Sequence, residues 1–465
     1  MARDKTELIL KENMYKVLVT LSVPIIINSL IQQLYSLVDS IWVSKLSSVH
    51  FAAITFVWPI NWLLVSLGAG LGVAGTSLLS QLLGAGQLDR ARAYAAQLIT
   101  ISLLSSLVLT VLGYLATPVV VRLMGATGDL AELGTLYLRI LYWDLPVVFL
   151  SFVINAMLHA QGDTVTPTIL SGLSAGLNAV LDPIFIFTLG WGLAGAAWAT
   201  VLSRALLAIG GLIVLLRGPS RIKPDFTRFR FEKQIVKEIV QVGLPASIGQ
   251  SGAALGFAAF NGLIATYGTA TLAAYGMVNR ITSLIMQPAM GMGQALTAIV
   301  GQNVGADQMA RVKEAFHKAV LLAVLIGSVG CVVLLVFDEP IILFFMQARD
   351  DPAVISESLN YLTYVSVSLP FMGIISAFAG LYQGTGNTKY AMIMEVGRLW
   401  FVRLPMIVLL GRFTSWGSTG IWFSMSFSNV LVSLYGYWVY TTRPWLHSVL
   451  ARRKETGVKP LSAVN

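Results

Sequence analysis

Long apolar runs, separated by short breaks rich in glycine or charged residues, recur along the whole chain. A helix that crosses a bilayer needs about 20 apolar residues, and these runs are long enough. They predict twelve helices, near 15–44, 52–80, 93–118, 132–158, 165–187, 192–216, 237–266, 271–300, 316–345, 358–382, 390–411 and 417–440. A soluble protein of 465 residues cannot bury so much apolar surface, so we predict an all-α integral membrane protein.

Composition excludes several other classes of protein. Only 11% of residues are charged, against about 25% in a soluble domain, and the net charge is +9. The basic residues lie mostly between apolar runs, where they set membrane orientation, so we expect no nucleic-acid partner. The single cysteine, Cys331, excludes a disulfide framework, and the four scattered histidines argue against a metal site. No phosphate-binding loop is visible, so we expect no ATP site and predict that energy comes from an ion gradient. We predict that the protein is not an enzyme and has no cofactor. The start of the chain is polar and charged, unlike a cleaved signal peptide.

Basic residues between the runs predict the orientation of the chain. One set of connections, together with both termini, is rich in them: Arg3, Lys5, Lys11, Lys16, Arg90, Arg92, the linker 217–237, Arg452, Arg453, Lys454 and Lys459. The alternate connections hold only Lys45, Arg122, Arg349 and Arg412. Both termini are therefore predicted to be cytoplasmic, in a multi-pass protein of a bacterial or archaeal inner membrane.

The two halves of the chain repeat each other. Residues 24–90 align without a gap with 245–311, with 17 identities in 67 pairs that include proline, glycine, glutamine and arginine. Further on, Gln161-Gly162 matches Gln383-Gly384, and Pro183 matches Pro405. We therefore predict two six-helix lobes with pseudo-two-fold symmetry, an arrangement typical of transporters. The predicted division is 1–216 for the first lobe, 217–236 for a basic linker, 237–440 for the second lobe and 441–465 for a cytoplasmic tail.

Four acidic residues lie within the predicted spans: Asp39, Asp144, Asp182 and Glu395. Carboxylates in membrane helices are costly and mark functional sites. Asp39 ends a polar stripe on one face of its helix, formed by Asn28, Gln32, Tyr35 and Asp39. We interpret this face as the lining of a water-accessible cavity. The alternative, a carboxylate that snorkels to the outer surface, does not explain the stripe.

A second acidic site lies in the segment N-A-V-L-D-P. Asn178 and Asp182 share a helix face, and Pro183 removes the amide donor for the carbonyl of Ala179. Thr200 follows the next turn at a similar depth. Together with Asp39 these groups form an oxygen-rich set suited to a proton or a sodium ion, with sodium at Asp39 and Asp182. A capped, hydrogen-bonded helix end is the alternative.

The second half departs from the first at these positions. Phe260 and Leu404 match Asp39 and Asp182, so the acidic site belongs to the first half alone. Glu395 and Arg398 are three residues apart and are predicted to pair, with Arg403 further along the helix. A structural ion pair is the favoured interpretation, and a second coupling element or substrate contact is the alternative.

Methionines cluster around Pro288, in the segment that contains Met286 and Met290. Methionine suits pockets that accept many apolar shapes, although it also packs ordinary membrane helices. We include both methionines in a predicted substrate cavity.

With these residues in view, the chain resembles the multidrug and toxic compound extrusion family, and within it the DinF-like branch. The likeness spans about 10–440 and rests on P-I-I-I-N-S-L-I-Q-Q-L-Y-S-L-V-D, N-A-V-L-D-P, Q-G-D-T-V-T-P, Q-G-T-G-N-T-K and G-A-G-Q-L-D-R-A-R. Segment 245–266 holds no Asp or Glu, unlike other branches.

The resemblance implies a V-shaped pair of six-helix lobes that exports cationic or amphipathic drugs by antiport. It implies an ion-coupling network of Asp39, Asn178, Asp182 and Thr200, with Gln32, Tyr35 and Asn155 nearby and a bend at Pro24. We expect a monomer in contact with membrane lipids. A flippase of lipid-linked precursors, which would need a cationic cavity, is the alternative. A membrane-embedded transferase would need a clustered nucleophile or metal set, and none is visible in the sequence.

Overall fold

The computed structural model describes residues 5–227, 229–345, 351–442 and 445, apart from the side chain of Ser48. All regular secondary structure in these ranges is helical. The first half contains seven helices: α1 (Lys5–Lys11), α2 (Met14–Ser44), α3 (Ser48–Gly84), α4 (Leu88–Leu123), α5 (Gly128–Ala160), α6 (Val165–Pro183) and α7 (Gly192–Arg217). The second half contains eight: α8 (Lys233–Ala265), α9 (Thr269–Gly305), α10 (Met309–Val336), α11 (Asp338–Phe345), α12 (Pro352–Gly384), α13 (Thr388–Val396), α14 (Leu404–Phe413) and α15 (Ser418–Thr442).

Each predicted helix overlaps a helical segment of the structure, with two differences. The sequence does not predict the short helix α1, because seven mostly polar and charged residues carry no membrane-spanning pattern. The predicted helix 316–345 is wrong as a single element, since α10 ends at Val336 and α11 begins at Asp338. Pro340 has no amide hydrogen for the carbonyl of Val336, which favours a break at this point.

Nine of the described helices are long and apolar enough to cross a membrane. The other predicted spans correspond to α9, to the segment 388–413 and to α15. These three are more polar: 388–413 carries five charged residues, and α9 and α15 are rich in Ser, Thr, Asn, Gln and Gly. Several predicted orientation signals, namely Arg3, Arg228, Arg349 and the basic residues of the tail, lie outside the described residues.

Packing divides the chain into two compact units. Among the described residues, the first comprises Lys5, 20–75 and 87–255, and the second comprises 6–19, 76–86 and those from 256 onward. The first has an apolar core that includes Val57, Tyr137 and Phe149. The second has one that includes Phe260, Tyr361 and Trp422. These units do not coincide with the two halves on either side of the basic linker. Segments 6–19 and 76–86 of the first half belong to the second unit, and segment 237–255 of the second half belongs to the first unit.

The repeat is visible in the turns that join the helices. Gly86 and Asp307 occupy matching positions after α3 and α9, and both have left-handed backbones, with φ of 69° and 60°. Asp307 is the only non-glycine residue with positive φ in the described chain. A turn geometry that normally favours glycine is therefore kept in both halves, even where the side chain differs.

Left-handed residues after the helices also show which residues of the two halves correspond later in the repeat. The left-handed glycine after α5 is Gly162, with φ of 78°, and the one after α12 is Gly386, with φ of 79°. The predicted match of Gly162 with Gly384 is therefore wrong by two residues. Helices α5 and α12 share the offset of 224 at both ends. Gly192, which begins α7, and Gly417, which precedes α15, are offset by 225 and have φ of 55° and 56°.

Within the second unit, Gly84 and Gly305, which correspond in the repeat, each pack against the backbone of a glutamine of the other half. A Cβ on Gly84 would lie 1.9 Å from the carbonyl oxygen of Gln302, and a Cβ on Gly305 would lie 1.9 Å from that of Gln81. Only glycine permits this approach of the ends of α3 and α9. The reciprocal contacts are what a local two-fold relation between the repeats produces.

π-Helical turns interrupt one helix in each half. The segment Ile184–Thr188 follows Pro183, and the amide of Leu189 bonds to the carbonyl of Ile184 at 2.8 Å. The segment Gly397–Arg403 precedes Pro405. Such turns often occur at functional sites because they re-aim side chains.

Candidate functional site

The polar stripe of α2 forms one wall of the site in the first unit. Asn28, Tyr35 and Asp39 are half-buried, and Asn28 and Asp39 each have a side-chain oxygen that is buried and finds no hydrogen-bond partner among the described residues. Gln32 is exposed, although it lies on the same stripe. Three of the four stripe residues are therefore half-buried, and the lining of a water-accessible cavity stays a prediction.

Helix α6 contributes the most deeply buried carboxylate. Asp182 is 0% exposed and Asn178 is 1% exposed, and the Asn178 amide donates to Asp182 Oδ1 at 3.1 Å. Asp182 Oδ2 and Asn178 Oδ1 have no hydrogen-bond partner. A capped helix end with all its bonds made, the alternative from the sequence, does not describe this arrangement.

Helix α7 adds a hydroxyl and a cation. Thr200 is buried beside the hydroxyl of Tyr35. Arg204, one helical turn further along, forms an ion pair with Asp144 of α5, and its guanidinium lies 5.9 Å from the centre of the Tyr35 ring. Thr200 and Arg204 thus bring α7 against the stripe of α2.

Charges link these groups into one cluster. Asp39 interacts electrostatically with both Asp182 and Arg204, and Tyr137 lies within reach of Asp39. Asp144 uses Arg204 as its partner, so the cluster holds two further carboxylates without a paired cation. An ionised carboxylate buried without a partner costs several kcal/mol, and binding of a proton or cation removes that cost.

Sequence reasoning missed Arg204 and Tyr137 as members of this cluster. Arg204 carried a usable signal, because it is a lone charge well inside an apolar helix, where an ionisable residue is unusual. Tyr137 carried none, since a tyrosine in an apolar helix also packs in ordinary cores.

The oxygen set suits a hard cation as well as a proton. It offers two carboxylates, an amide oxygen, a phenol and a hydroxyl, from Asp39, Asp182, Asn178, Tyr35 and Thr200. Oxygen ligands of this kind are those that hard cations prefer. Across the described residues, no three His, Cys, Asp or Glu side chains cluster as a metal site.

Two further predicted residues lie in the same unit. The carbonyl of Pro24 accepts a hydrogen bond from the Thr168 hydroxyl at 2.8 Å, which ties α2 to α6. Asn155 is half-buried on α5, and the described structure includes no hydrogen bond from its side chain to the carboxylate cluster. Helix α2 runs without interruption through Pro24.

The second unit contains a different buried cluster. Glu395 and Arg398 form the predicted ion pair at 2.7 Å. Arg403 is buried and donates to Ser428 Oγ, to Asn429 Oδ1 and to the carbonyl of Met425. Its guanidinium lies 5.6 Å from the ring centre of Phe260, the residue that matches Asp39.

The two methionines of the predicted substrate cavity differ in their surroundings. Met286 is 1% exposed and belongs to the apolar core of the second unit. Met290, one turn further along α9, is 50% exposed. Of the pair, Met290 is the side chain with a free surface.

Comparison with known proteins identifies both repeats. The profile of the MatE family matches the chain twice, at residues 24–184 and 245–409. The two matches begin at Pro24 and Pro245, the first aligned pair of the internal repeat.

Individual relatives match the chain along nearly its whole length. The probable multidrug resistance protein YoeA of Bacillus subtilis is 27% identical over 90% of this chain and 92% of its own. An FAD transporter of Shewanella oneidensis is 26% identical over 91% of this chain and 94% of its own. A crystal structure of MATE in the bent conformation aligns with a TM-score of 0.89 and 27% identity, over 97% of this chain and 99% of the other. Because the family profile covers well over half of the residues, the chain belongs to the MatE family.

Proposed function

We propose that this protein is a secondary active exporter that moves cationic or amphipathic drugs out of the cell in exchange for protons or sodium ions. The observation that carries the proposal is a pair of carboxylates, the half-buried Asp39 and the buried Asp182, each with a buried oxygen that has no hydrogen-bond partner among the described residues. Relatives named as multidrug resistance proteins support the substrate class.

Exchange follows from competition for the same negative charge. When Asp39 and Asp182 are ionised, the cavity attracts a cationic drug. When a proton or sodium ion binds them, that attraction is lost and the drug is released. Asn178, Tyr35 and Thr200 supply neutral oxygens that complete the coordination of the ion. Arg204 holds Asp144, which keeps that third carboxylate from competing for the ion.

The remaining predicted residues receive supporting roles. Gln32 and Asn155 line the drug cavity beside the carboxylates. In the second half, the exposed Met290 offers an adaptable apolar surface, whereas Met286 packs in the apolar core of its unit. Pro24 is the point at which α2 bends when the ion binds, because its ring removes a helical hydrogen bond. The Glu395–Arg398 pair has a structural role.

The proposed architecture is that of the DinF-like branch: a monomer with twelve spans in two lobes of six helices each. Both termini face the cytoplasm, and the spans lie in the bilayer of the cytoplasmic membrane. The protein needs no bound cofactor beyond the coupling ion.

A flippase of lipid-linked precursors is less well supported, because a pyrophosphate substrate requires a cationic cavity. The cluster of Asp39, Asp144, Asp182 and Arg204 carries more negative than positive groups. One relative is named as an FAD transporter, and FAD is an anionic dinucleotide. FAD is therefore the competitor to test against a cationic drug.

Transport into proteoliposomes tests the proposal. The purified chain is reconstituted with ethidium as the probe, and a pH gradient or a sodium gradient is imposed alone. We expect ethidium movement under at least one gradient and no inhibition by FAD. Movement under neither gradient contradicts ion-coupled antiport, and gradient-driven FAD movement favours an anionic substrate.

A further inference from the structure

A cleft of 940 Å³ opens on the first unit, where α4 ends and α5 begins. Tyr114 and Arg122 come from α4, Glu132, Arg139 and Trp143 come from α5, and Trp198 of α7 closes one side. None of the residues of the carboxylate cluster lines it. The proposed drug and ion site therefore leaves this cleft unexplained.

Two arginines and one glutamate, Arg122, Arg139 and Glu132, line the cleft, and none of the three forms an ion pair within the described part of the chain. Arg139 Nε is buried without a hydrogen-bond partner, and the guanidinium lies 4.9 Å from the ring centre of Tyr114. A buried guanidinium atom with no acceptor calls for an anionic oxygen, and phosphate oxygens fit the planar donors of arginine well.

The position of the cleft, where one helix ends and the next begins, points to a lipid. Arg139 lies eleven residues beyond Gly128, the start of α5, which is about 16 Å along the helix axis. Its long side chain can reach from there toward the membrane surface. Tyr114, Trp143 and Trp198 are exposed around the opening, as amphipathic rings are at the level of lipid headgroups.

The wall beside the cleft is apolar. Leu112, Leu115 and Val119 of α4 are all exposed, and Leu136 of α5 is exposed near Arg139. These side chains provide a surface on which acyl chains can lie. A soluble anion would make no use of this surface.

We propose that the cleft binds a glycerophospholipid, with its phosphodiester on Arg139 and Arg122 and its acyl chains along α4. Arg122, Arg139 and Glu132 together carry a net charge of +1, which a phosphodiester with its single negative charge neutralises. Lipid binding here anchors the ends of α4 and α5 to one leaflet of the membrane.

Native mass spectrometry of the full-length protein tests the assignment, with phosphatidylglycerol titrated into the detergent-solubilised transporter. We expect Arg139→Gln to weaken phosphatidylglycerol binding by about 10-fold, because one charge-assisted contact is lost. Arg139→Lys keeps the charge and should lose less. Arg280→Gln is the matched control, since Arg280 lies the same eleven residues beyond the start of α9, is exposed, and does not line the cleft.

The outcomes separate the possible ligands. Equal lipid binding by the Arg139→Gln and Arg280→Gln variants overturns the proposal. Glycerol 1-phosphate that displaces phosphatidylglycerol at equal concentration would assign the cleft to a soluble phosphate instead. Thermal unfolding in detergent confirms that both variants are folded, so a loss seen only for Arg139→Gln reports on lipid contact. The test does not use drug transport, so its result is independent of the antiport proposal.

Discussion

The two halves of the chain build matching helices around unlike polar groups. Applying the offsets of 221, 224 and 225 that the turns support, Asp39 matches Phe260, and Tyr137 matches Tyr361. The ion pair between Asp144 and Arg204 matches a neutral hydrogen bond in which the Asn429 amide donates to Ser368 Oγ at 3.2 Å. Asp182 matches Leu404 or Met406, depending on the offset, and both are apolar.

The two clusters differ in how fully their buried polar groups are hydrogen-bonded. In the first half, the carboxylate oxygens of Asp39 and Asp182 lack partners. In the second half, the buried cation Arg403 donates to three oxygens and lies over the Phe260 ring. Groups that are already bonded have little to gain from a ligand, whereas unpartnered carboxylates gain a great deal. The repeat therefore accounts for the shared helices, and divergence at a few positions accounts for the unpartnered carboxylates of the first half, on which the proposed function rests.

The largest expected effect is on transport, and it should differ between acidic residues of the first and the second half. Asp39→Asn and Asp182→Asn should each lower gradient-driven ethidium transport in proteoliposomes by about 10-fold or more, because the charge that binds the ion is lost. Glu395→Gln in the second half should leave most transport intact. If Glu395→Gln were as damaging as Asp39→Asn, coupling would not be confined to the first half.

A second prediction concerns the buried ion pair of the first half. Arg204→Gln leaves Asp144 buried without its partner and should destabilise the protein by about 3–5 kcal/mol. The double variant Asp144→Ser with Arg204→Asn installs the neutral pair of the second half and should recover most of this loss. Chemical denaturation in detergent measures both, and a double variant no more stable than the single one contradicts the equivalence.

Substitution of Gly84 and of Gly305 should lower stability by similar amounts, whereas the polar residues of the two halves should respond differently. Gly84→Ala and Gly305→Ala each force a Cβ against a backbone carbonyl and should cost about 1–3 kcal/mol in the same denaturation assay. Gly276→Ala is the control, because a Cβ added there would have no neighbouring atom within 4 Å. Unequal losses for Gly84 and Gly305 would indicate that the repeat symmetry does not extend to these helix ends.

The smallest effect concerns the turn after α5. Asp163 pairs with Lys5 at 2.7 Å, whereas its match in the second half is the neutral Asn387. Burial raises the pKa of Asp163, but bonds from Lys5 and Thr166 lower it further, so its pKa lies below the ordinary value. Its contribution to stability is therefore present above the unfolded pKa of about 3.9 and is lost as the pH falls through the folded value.

Lys5→Met should accordingly lower the free energy of unfolding by less than about 1 kcal/mol at neutral pH, because Lys5 is partly exposed and the pair is screened. The difference from the unmodified protein should shrink as the pH approaches about 3, as measured by thermal unfolding. Lys11→Met, which removes an exposed pair with Glu7, is the control. A difference that grows on acidification contradicts the assignment to Asp163.

Much of the candidate site could be predicted from residue type and spacing. Asn178 and Asp182 stand four residues apart, so one helix face had to carry both, and the hydrogen bond between them is found. The pair of Glu395 and Arg398 followed from a spacing of three in the same way. The partner of Asp144 could not be predicted, because Arg204 is 60 residues away and only the packing of α5 against α7 brings them together.

The sequence by itself determined the helices, the internal repeat and the placement of acidic groups in one half, because apolar runs and residue spacing are local properties of the chain. Tertiary structure alone decided which oxygens are left without partners, that Arg204 neutralises Asp144, and that Met286 is buried while Met290 is not. The register after α5 also depended on backbone conformation at Gly162 and Gly386. These features arise from contacts between distant segments and from backbone conformation, and spacing along one helix carries no information about them.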